Sequence, residues 1–190
     1  MKTFFDVIAP IYEIVHSGAK HTFNNIENLA QFRKEDIVVD VGGGTGRIAQ
    51  FLVGKVKMIT VIDSSEPMIA ECKKHSGIMC IQASGDAMPI KEDSVDKVIL
   101  VDVFHHLRSP ENVIQEIKRI LKVDGTLIIE EFNPRTWGGR FIMLVEKVLR
   151  LGSTFHLPSD LNDIFLRHEF VCKVYESHKK SYYLVAKKVR

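Results

Sequence analysis

The sequence predicts an α/β fold in which helices cover both faces of a mainly parallel β-sheet. From residue 36 onward, short apolar runs alternate with amphipathic stretches, several of which begin at helix-capping residues. The apolar runs are continuous rather than alternately apolar and polar, which is typical of strands that are buried on both faces. Regular alternation of strand and helix gives parallel strands joined by right-handed crossovers, a doubly wound arrangement.

Seven strands are predicted, five in the main alternation and two at the end of the chain. In order they are DIVVDVG, MITVID, IMCIQAS, VDKVILVDV, TLIIEEF, VCKVYES and YYLVAKK. A short polar turn joins the last two, which predicts a C-terminal antiparallel hairpin at one edge of the sheet. The intervening helices are predicted over RIAQFLVG, SEPMIAECKKH and SPENVIQEIKRILK. The last of them begins with a serine N-cap and a proline in its first turn.

The length of 190 residues fits one globular domain spanning residues 1–190. Four segments are distinguished within it: a helical cap over residues 1–33, a strand-rich core over 36–132, an excursion over 133–168 and the terminal hairpin over 169–190. The excursion contains a helix over residues 139–151 that is more apolar than one buried face needs. Core packing is the favoured reason, while a lid over an apolar substrate, a dimer contact and a membrane-surface helix remain open.

Charge and cysteine content narrow the function classes. The chain has a net charge of +2, and residues 133–190 carry most of the basic excess. No apolar run is long enough to span a bilayer, and no signal peptide is recognised at the N-terminus. Cys72, Cys80 and Cys172 form no C-x-x-C pair, so we expect buried free thiols rather than zinc ligands or a disulfide framework. A reducing, cytoplasmic setting is therefore expected.

The loop after the first strand, within VVDVGGGTGRIAQ, can be read in two registers. Gly44 to Ala49 spells G-x-G-x-x-A, a fingerprint for nicotinamide or flavin dinucleotides. Asp40 to Gly46 spells D-x-G-x-G-x-G, and this register begins where the strand ends. A fixed carboxylate at Asp40 opposes a pyrophosphate and favours an ammonium or a sulfonium group. The second register is therefore the better interpretation.

Two further acids follow the next strands. Asp63 ends the second strand and can accept hydrogen bonds from both hydroxyls of a ribose. Asp86 lies in the loop after the third strand and can accept one from an exocyclic amine such as adenine N6. Because ligands of open parallel sheets bind at the carboxyl ends of the strands, these acids and the glycine loop predict an adenosine-containing cofactor.

The motifs VDVGGGTG, VIDSSEPMI, SGDAMPI, DKVILVDVFHHL and LKVDGTLIIEEF follow one another in this order. Together they resemble the class I S-adenosylmethionine-dependent methyltransferases over roughly residues 36–132. Within that family they are most similar to the small-molecule branch that contains the ubiquinone/menaquinone biosynthesis methyltransferases. FDVIAPIYE near the N-terminus also resembles the opening of that branch. The resemblance implies a Rossmann-like, seven-stranded sheet and S-adenosyl-L-methionine as the cofactor.

The resemblance also implies a role for each matching residue. The implied cofactor contacts are Asp40, Gly42, Gly44 and Gly46 around the methionyl part, Asp63 on the ribose, Ser64 and Met68 beside the adenosine, Asp86 and Ala87 on the adenine, Val101 beside the sulfonium and Tyr12 as a cover. The chain departs from the family pattern at Gly43, where many relatives have a larger residue, and at Glu13, where they have aspartate.

His105 and His106 follow the fourth strand and are candidates for a base or for an orienting role toward the methyl acceptor. We expect no metal at this pair, because adjacent side chains usually point to different sides. His156 and Trp137 in the excursion are expected to be packing residues.

The expected function is methyl transfer from S-adenosylmethionine to a small-molecule acceptor, which the apolar excursion suggests is hydrophobic. Two alternatives remain open: a nicotinamide-dependent oxidoreductase and a non-catalytic protein that binds S-adenosylmethionine. No nucleic-acid substrate is expected, because DVFHHL stands where an N-P-P-[YF]-type motif would follow the fourth strand. Contact with a membrane surface and the oligomeric state are left open.

Overall fold

The computed structural model describes residues 18–149, 151–176 and 180–189. A seven-stranded sheet has the order β3-β2-β1-β4-β5-β7-β6. Its strands are β1 (Ile37–Val41), β2 (Met58–Asp63), β3 (Met79–Gln82), β4 (Val95–Val101), β5 (Leu121–Phe132), β6 (Phe170–Glu176) and β7 (Ser181–Lys188). β1 to β5 are parallel to one another, and β7 pairs antiparallel with both β5 and β6. The predicted fold class, including the terminal antiparallel pair, is confirmed.

Five helices and two short 3-10 turns connect these strands in the described part of the chain. The helices are α1 (Ala19–Ala30), α2 (Glu66–Cys72), α3 (Pro110–Ile120), α4 (Trp137–Val148) and α5 (Pro158–Arg167). The 3-10 turns cover Ala49–Leu52 and Phe104–His106. None of the described helices is long and apolar enough to cross a membrane.

Two apolar cores lie on opposite faces of the sheet, because successive side chains of a strand point to opposite faces. Leu127 and Ile129 of β5 pack with α3 and α5 on one face. Ile128 between them packs with α1 and α2 on the other face. All three side chains are fully buried, which explains why the strands are continuous apolar runs.

The strand order reverses between β1 and β4. β1 is followed in the sheet by β2 and β3 on one side, and β4 is followed by β5 on the other. In open parallel sheets the ligand crevice lies outside the carboxyl ends of the strands at this reversal. The glycine loop after β1 and the histidine pair after β4 therefore flank the same crevice.

The predicted helix over RIAQFLVG is wrong in type and length. Only Ala49–Leu52 is helical, and it is a 3-10 turn. Gly46 and Gly54 both have positive φ and bound the segment. A helix confined to so few residues is marginal, since most of its bonds would be terminal. The loop therefore offers backbone N–H groups from glycine turns and not from the N-terminus of an α-helix.

The helix predicted over residues 139–151 begins at Trp137 instead. The prediction that it packs into the core is wrong. Gly139 is the buried residue of α4. Phe141, Leu144 and Val148 are 67%, 60% and 73% exposed. Together with Trp137, which is 87% exposed, they are spaced by four, three and four residues and form the outer stripe of α4.

The cysteines also depart from expectation. Cys72 at the end of α2 and Cys80 in β3 form a disulfide, and Cys172 is the free cysteine. The odd count and wide spacing gave no signal for this pairing, because the contact arises when α2 packs beside β3. The free-thiol prediction is therefore wrong for two of the three cysteines.

Candidate functional site

The glycine loop wraps closely around the end of β1. Gly42, Gly44 and Gly46 all have positive φ, a conformation that side chains rarely adopt. A Cβ added at Gly42 would lie 2.3 Å from a methyl group of Val103, and one at Gly43 would lie 2.6 Å from the Asp40 carboxylate. A larger residue at position 43 would therefore require the Asp40 carboxylate to shift.

Asp40 is the chemically distinctive residue of this loop. Its side chain is buried, and neither carboxylate oxygen has a hydrogen-bond partner in the described structure. Burial raises the pKa of Asp40 to about 7, although the charge of Arg47 opposes the shift. A small pocket is lined by Asp40, Gly42, Gly43, Gly44, Arg47, Ile48 and Val101. Among the described residues, no donor is thus available to the Asp40 carboxylate.

Arg47 is a site residue that sequence reasoning treated only as the start of a helix. It is buried and forms an ion pair with Asp102 at 3.0 Å between Nη2 and Oδ2. Asp102 follows β4 directly and has a φ of 55°, which turns the chain after Val101. The pair links the loop after β1 to the end of β4. An arginine inside a glycine loop, seven residues after an acid, was the available signal.

Asp63 lies at the end of β2 as predicted. Its Oδ2 accepts a hydrogen bond from the backbone N–H of Gly44 at 3.0 Å, and its Oδ1 accepts one from that of Ser65 at 2.8 Å. Ser65 also caps α2 by accepting from the N–H of Met68. The carboxylate is therefore fixed against the loop by two backbone donors.

The remaining predicted residues are arranged around this centre. Met68 is buried, with its sulfur 3.7 Å from the Cβ position of Gly44, while Ser64 is exposed. Asp86 and Ala87 lie in an exposed turn after β3. Tyr12 lies outside the described residues.

The pocket suits the methionyl end of S-adenosylmethionine, the cofactor that the motifs implied. Asp40 offers two unsatisfied oxygens to an ammonium group, and Gly42 and Gly43 lack the Cβ atoms that would close the approach. Asp63 ends the neighbouring strand, where ribose hydroxyls are bound in related open sheets. The residues present therefore fit the cofactor.

The histidine pair after β4 is held by Glu131 of β5. One oxygen of Glu131 accepts hydrogen bonds from the backbone N–H groups of Phe104, at 2.8 Å, and His105, at 3.4 Å. The other oxygen lies 2.6 Å from Nδ1 of His105. Phe155 stacks on the His105 ring with centroids 4.7 Å apart. Glu131 thus fixes both the 3-10 turn and the orientation of the His105 ring.

His106 is held from the excursion. Its Nδ1 lies 3.0 Å from the hydroxyl of Ser153, which also donates a hydrogen bond to Glu146 of α4. The Nε2 atoms of His105 and His106 lie 3.5 Å and 3.9 Å from Oε1 of Glu146. The two rings are 4.1 Å apart at their centroids, so the expectation that the adjacent side chains diverge is wrong.

These contacts separate the protonation behaviour of the two histidines. Burial lowers the pKa of His105, but Glu131 and Glu146 outweigh it and raise the pKa to about 10. Burial and the nearby His105 charge lower the pKa of His106 to about 4. Sequence reasoning missed both glutamates, although the acid pair at the end of an apolar strand, IIEEF, was a visible signal for Glu131.

Glu130, the neighbour of Glu131, points to the opposite face of the sheet. It accepts a hydrogen bond from the hydroxyl of Tyr183 at 3.0 Å, and that hydroxyl accepts one from Asn25 of α1. Burial and the charge of Asp102 raise the pKa of Glu130 to about 7. This network connects the cap helix α1 to the crevice.

Comparison with known proteins gives a consistent result. A family model described as a methyltransferase domain matches residues 39–129. The ubiquinone/menaquinone biosynthesis C-methyltransferase of Rubrivivax gelatinosus is 28% identical over 53% of this chain and 41% of its own length. The chloroplast 2-methyl-6-phytyl-1,4-hydroquinone methyltransferase of Arabidopsis thaliana is 33% identical over 55% of this chain and 32% of its own. The chain therefore spans less than half the length of these two relatives.

A similar fold is found among solved structures. One chain of a complex that contains the Haloferax volcanii Trm112 methyltransferase activator superposes with a TM-score of 0.84. The superposition covers 100% of both chains at 16% identity. At that identity the likeness concerns the fold.

Replacing Gly42 tests whether the loop geometry serves ligand binding. We expect Gly42→Ala to lower the affinity for S-adenosylhomocysteine more than about tenfold, because the new Cβ displaces Val103 and the loop. Gly54→Ala is the matched control, since Gly54 also has positive φ but has open space around its Cβ position. It should lose about 1 kcal/mol of stability from backbone strain and keep its affinity. Calorimetric titration measures both, and equal affinities for the two variants would contradict the prediction.

Asp40 should make the ligand-free protein less stable as the pH rises. Its pKa of about 7 in the folded state exceeds the ordinary value of 3.8, so the unfolded state releases the proton first. The resulting loss in the free energy of unfolding is absent below about pH 4, grows between about pH 4 and 7, and reaches about 4 kcal/mol above pH 7. We expect Asp40→Asn to remove it.

Urea unfolding of both proteins from pH 4.5 to 8.5 measures this effect. The stability of Asp40→Asn minus that of the unaltered protein should increase up to about pH 7 and then stay constant. The titration of Glu130 is common to both proteins and cancels in the difference. A difference that is independent of pH would refute the assignment.

Proposed function

We propose that the chain is a class I S-adenosylmethionine-dependent methyltransferase, which transfers a methyl group to a small-molecule acceptor and leaves S-adenosylhomocysteine. The observation that supports this proposal is the buried Asp40 carboxylate, which has no hydrogen-bond partner among the described residues and lies beside a loop of closely packed glycines. The bound cofactor supplies a sulfonium-activated methyl group. The protein therefore has to bind the cofactor and the acceptor, orient them toward each other and exclude water.

We assign the cofactor contacts to the residues around this loop. Asp40 accepts hydrogen bonds from the methionyl ammonium group, and the flexible backbone of the glycine loop follows the methionyl chain. Asp63 accepts hydrogen bonds from the ribose hydroxyls. These replace part of the hydrogen bonding that its carboxylate has with backbone N–H groups in the ligand-free protein. Asp86 and Ala87 receive the adenine, and Val101 lies beside the sulfonium. Tyr12 is proposed to cover the cofactor.

The proposed acceptor is a hydroquinone-type ring with an apolar substituent. Two of the most similar curated relatives are named for quinone and phytyl-hydroquinone methylation. The excursion over residues 133–168 presents the large exposed stripe of α4, which suits a hydrophobic substrate or its surroundings. A cytoplasmic location remains a prediction.

The catalytic role proposed for the histidine pair is to orient the acceptor, not to remove its proton. A general base must reach the substrate proton and titrate near the working pH. His105 is buried, hydrogen-bonded through Nδ1 and shifted to a pKa of about 10. The pKa of His106 is lowered to about 4. Neither histidine has the pKa that efficient base catalysis requires.

Ligand binding and turnover test the proposed function. S-adenosylhomocysteine should raise the melting temperature, and NAD should not, since binding to the folded state stabilises it. Asp40→Asn should abolish the shift. A larger increase in melting temperature with NAD than with S-adenosylhomocysteine would identify a nicotinamide enzyme and contradict the proposal. If S-adenosylhomocysteine binds but no hydroquinone, phenol or amine acceptor in a panel is methylated, the non-catalytic alternative holds.

We further propose that α4 contacts an anionic membrane surface. Its outer stripe combines exposed aromatic and aliphatic side chains, and Arg140 and Lys147 lie exposed along one side of the stripe. Glu146, its described acid, points to the opposite face, toward the histidines. An amphipathic helix with this pattern lies in the interface plane of a bilayer. Such contact would give access to a lipid-dissolved acceptor.

Vesicle sedimentation tests this contact. The protein should sediment with phosphatidylglycerol vesicles and much less with phosphatidylcholine, because the basic side chains favour anionic lipid. Phe141→Ser with Leu144→Ser should reduce binding more than about tenfold. Leu166→Ser, an exposed leucine of α5, is the matched control and should leave binding unchanged. Unchanged binding by the double variant, or a dimer that dissociates in it, would argue against membrane contact.

A further inference from the structure

The most unusual cluster outside the cofactor pocket joins the turn after β4 to α4. Among the described residues, His105, His106 and Glu146 form a group whose potential ligand atoms all lie within 4.8 Å of one another. Adjacent residues contribute two of the three side chains, and a helix some forty positions later contributes the third. This is the arrangement that sequence reasoning considered improbable.

The hydrogen bonds around the cluster determine which ring nitrogens face inward. Nδ1 of His105 lies against Glu131, a carboxylate that can only accept, so Nδ1 carries the proton. The Ser153 hydroxyl donates to Glu146 and therefore accepts from Nδ1 of His106. In the neutral tautomers both Nε2 atoms consequently carry lone pairs. Such outer hydrogen bonds are typical of histidines that bind metal ions through the other nitrogen.

The inner atoms converge on one point. Oε1 of Glu146 lies 3.5 Å from Nε2 of His105 and 3.9 Å from Nε2 of His106. The Nε2 atom of His105 is buried and has no hydrogen-bond partner in the part of the chain that the structure describes. Tetrahedral ligand atoms at about 2.0–2.1 Å from a zinc ion stand roughly 3.4 Å apart. The two printed separations, from Oε1 of Glu146 to each Nε2, therefore lie within about half an ångström of the ligand spacing in a zinc site.

We propose that His105, His106 and Glu146 form a divalent transition-metal site, with both imidazole Nε2 atoms and one carboxylate oxygen as ligands. Two histidines and one glutamate are the protein ligands of catalytic zinc sites that keep a fourth position open. Glu131 and Ser153 act as positioning residues that set the ring orientations. The ion would also tie α4, most of whose outer surface is exposed, to the end of β4.

The electrostatics of the cluster favour a cation. In the ion pairs of the described residues, Glu131 and Glu146 are paired with histidines and not with lysine or arginine. A divalent cation beside the two rings would balance the charge of these carboxylates. The competing interpretation is a purely structural imidazolium–carboxylate network, and the experiment has to separate the two.

Zinc affinity of tag-free, chelator-treated protein tests the site independently of methyl transfer. We expect one Zn²⁺ per chain at micromolar concentration in competition with a chromophoric chelator. Glu146→Gln preserves size and hydrogen bonding to Ser153 but weakens the ligand, and should lower the affinity more than about 100-fold. Glu131→Gln removes only a contact that positions the His105 ring, and it should lower the Zn²⁺ affinity about 10- to 100-fold.

The control variants separate this site from adventitious binding. His21→Ala removes an exposed histidine of α1, and Cys172→Ser removes the free thiol; both should bind Zn²⁺ as tightly as the unaltered protein. Co²⁺ should produce the visible absorption of a four-coordinate site, and Glu146→Gln should lose it. Circular dichroism and melting temperature verify folding of each variant.

Two results would overturn the proposal. One is the absence of stoichiometric Zn²⁺ uptake at micromolar concentration. The other is equal Zn²⁺ affinity in the unaltered protein and folded Glu146→Gln, with only the melting temperature lowered, which would identify a structural ion-pair network. If His105→Gln fails to fold, Glu146→Gln decides the question, because Glu146 lies on a helix that is largely exposed.

Discussion

The crevice is built around a buried carboxylate to which no described residue donates a hydrogen bond. Asp40 stands at the end of β1, where the strand order reverses, and no described donor reaches its oxygens. Burial of an acid in this way costs free energy and is tolerated because the folded state keeps it protonated up to about pH 7. The glycine loop then has to pass close to the acid, and Arg47 compensates for its charge from the other side.

A second pair of acids organises the two sides of this crevice. Glu130 and Glu131 are neighbours in β5 and therefore point to opposite faces of the sheet. Glu130 connects through Tyr183 to the cap helix α1. Glu131 holds the turn that carries the histidine pair. One strand end thus positions both the helix α1 and the histidine cluster that faces the excursion.

Sequence reasoning succeeded where a local pattern had one physical solution. Continuous apolar runs require a sheet covered on both faces, and acids after successive parallel strands necessarily meet at one edge. It failed where contacts between distant segments decided the result. The helix after the loop became a 3-10 turn between two glycines, Cys72 met Cys80 only when α2 packed beside β3, and α4 exposed the stripe that was expected in the core.

The sequence by itself determined the doubly wound sheet and the strand ends that form the crevice, since these follow from periodicity and spacing along the chain. Only the tertiary structure decided that Asp40 has no hydrogen-bond partner among the described residues, that Arg47 pairs with Asp102, and that both Nε2 atoms of adjacent histidines lie near Glu146. Side-chain direction after a strand depends on what packs against the turn. Here Glu131 and Ser153, far apart in the chain, set the directions of the two rings.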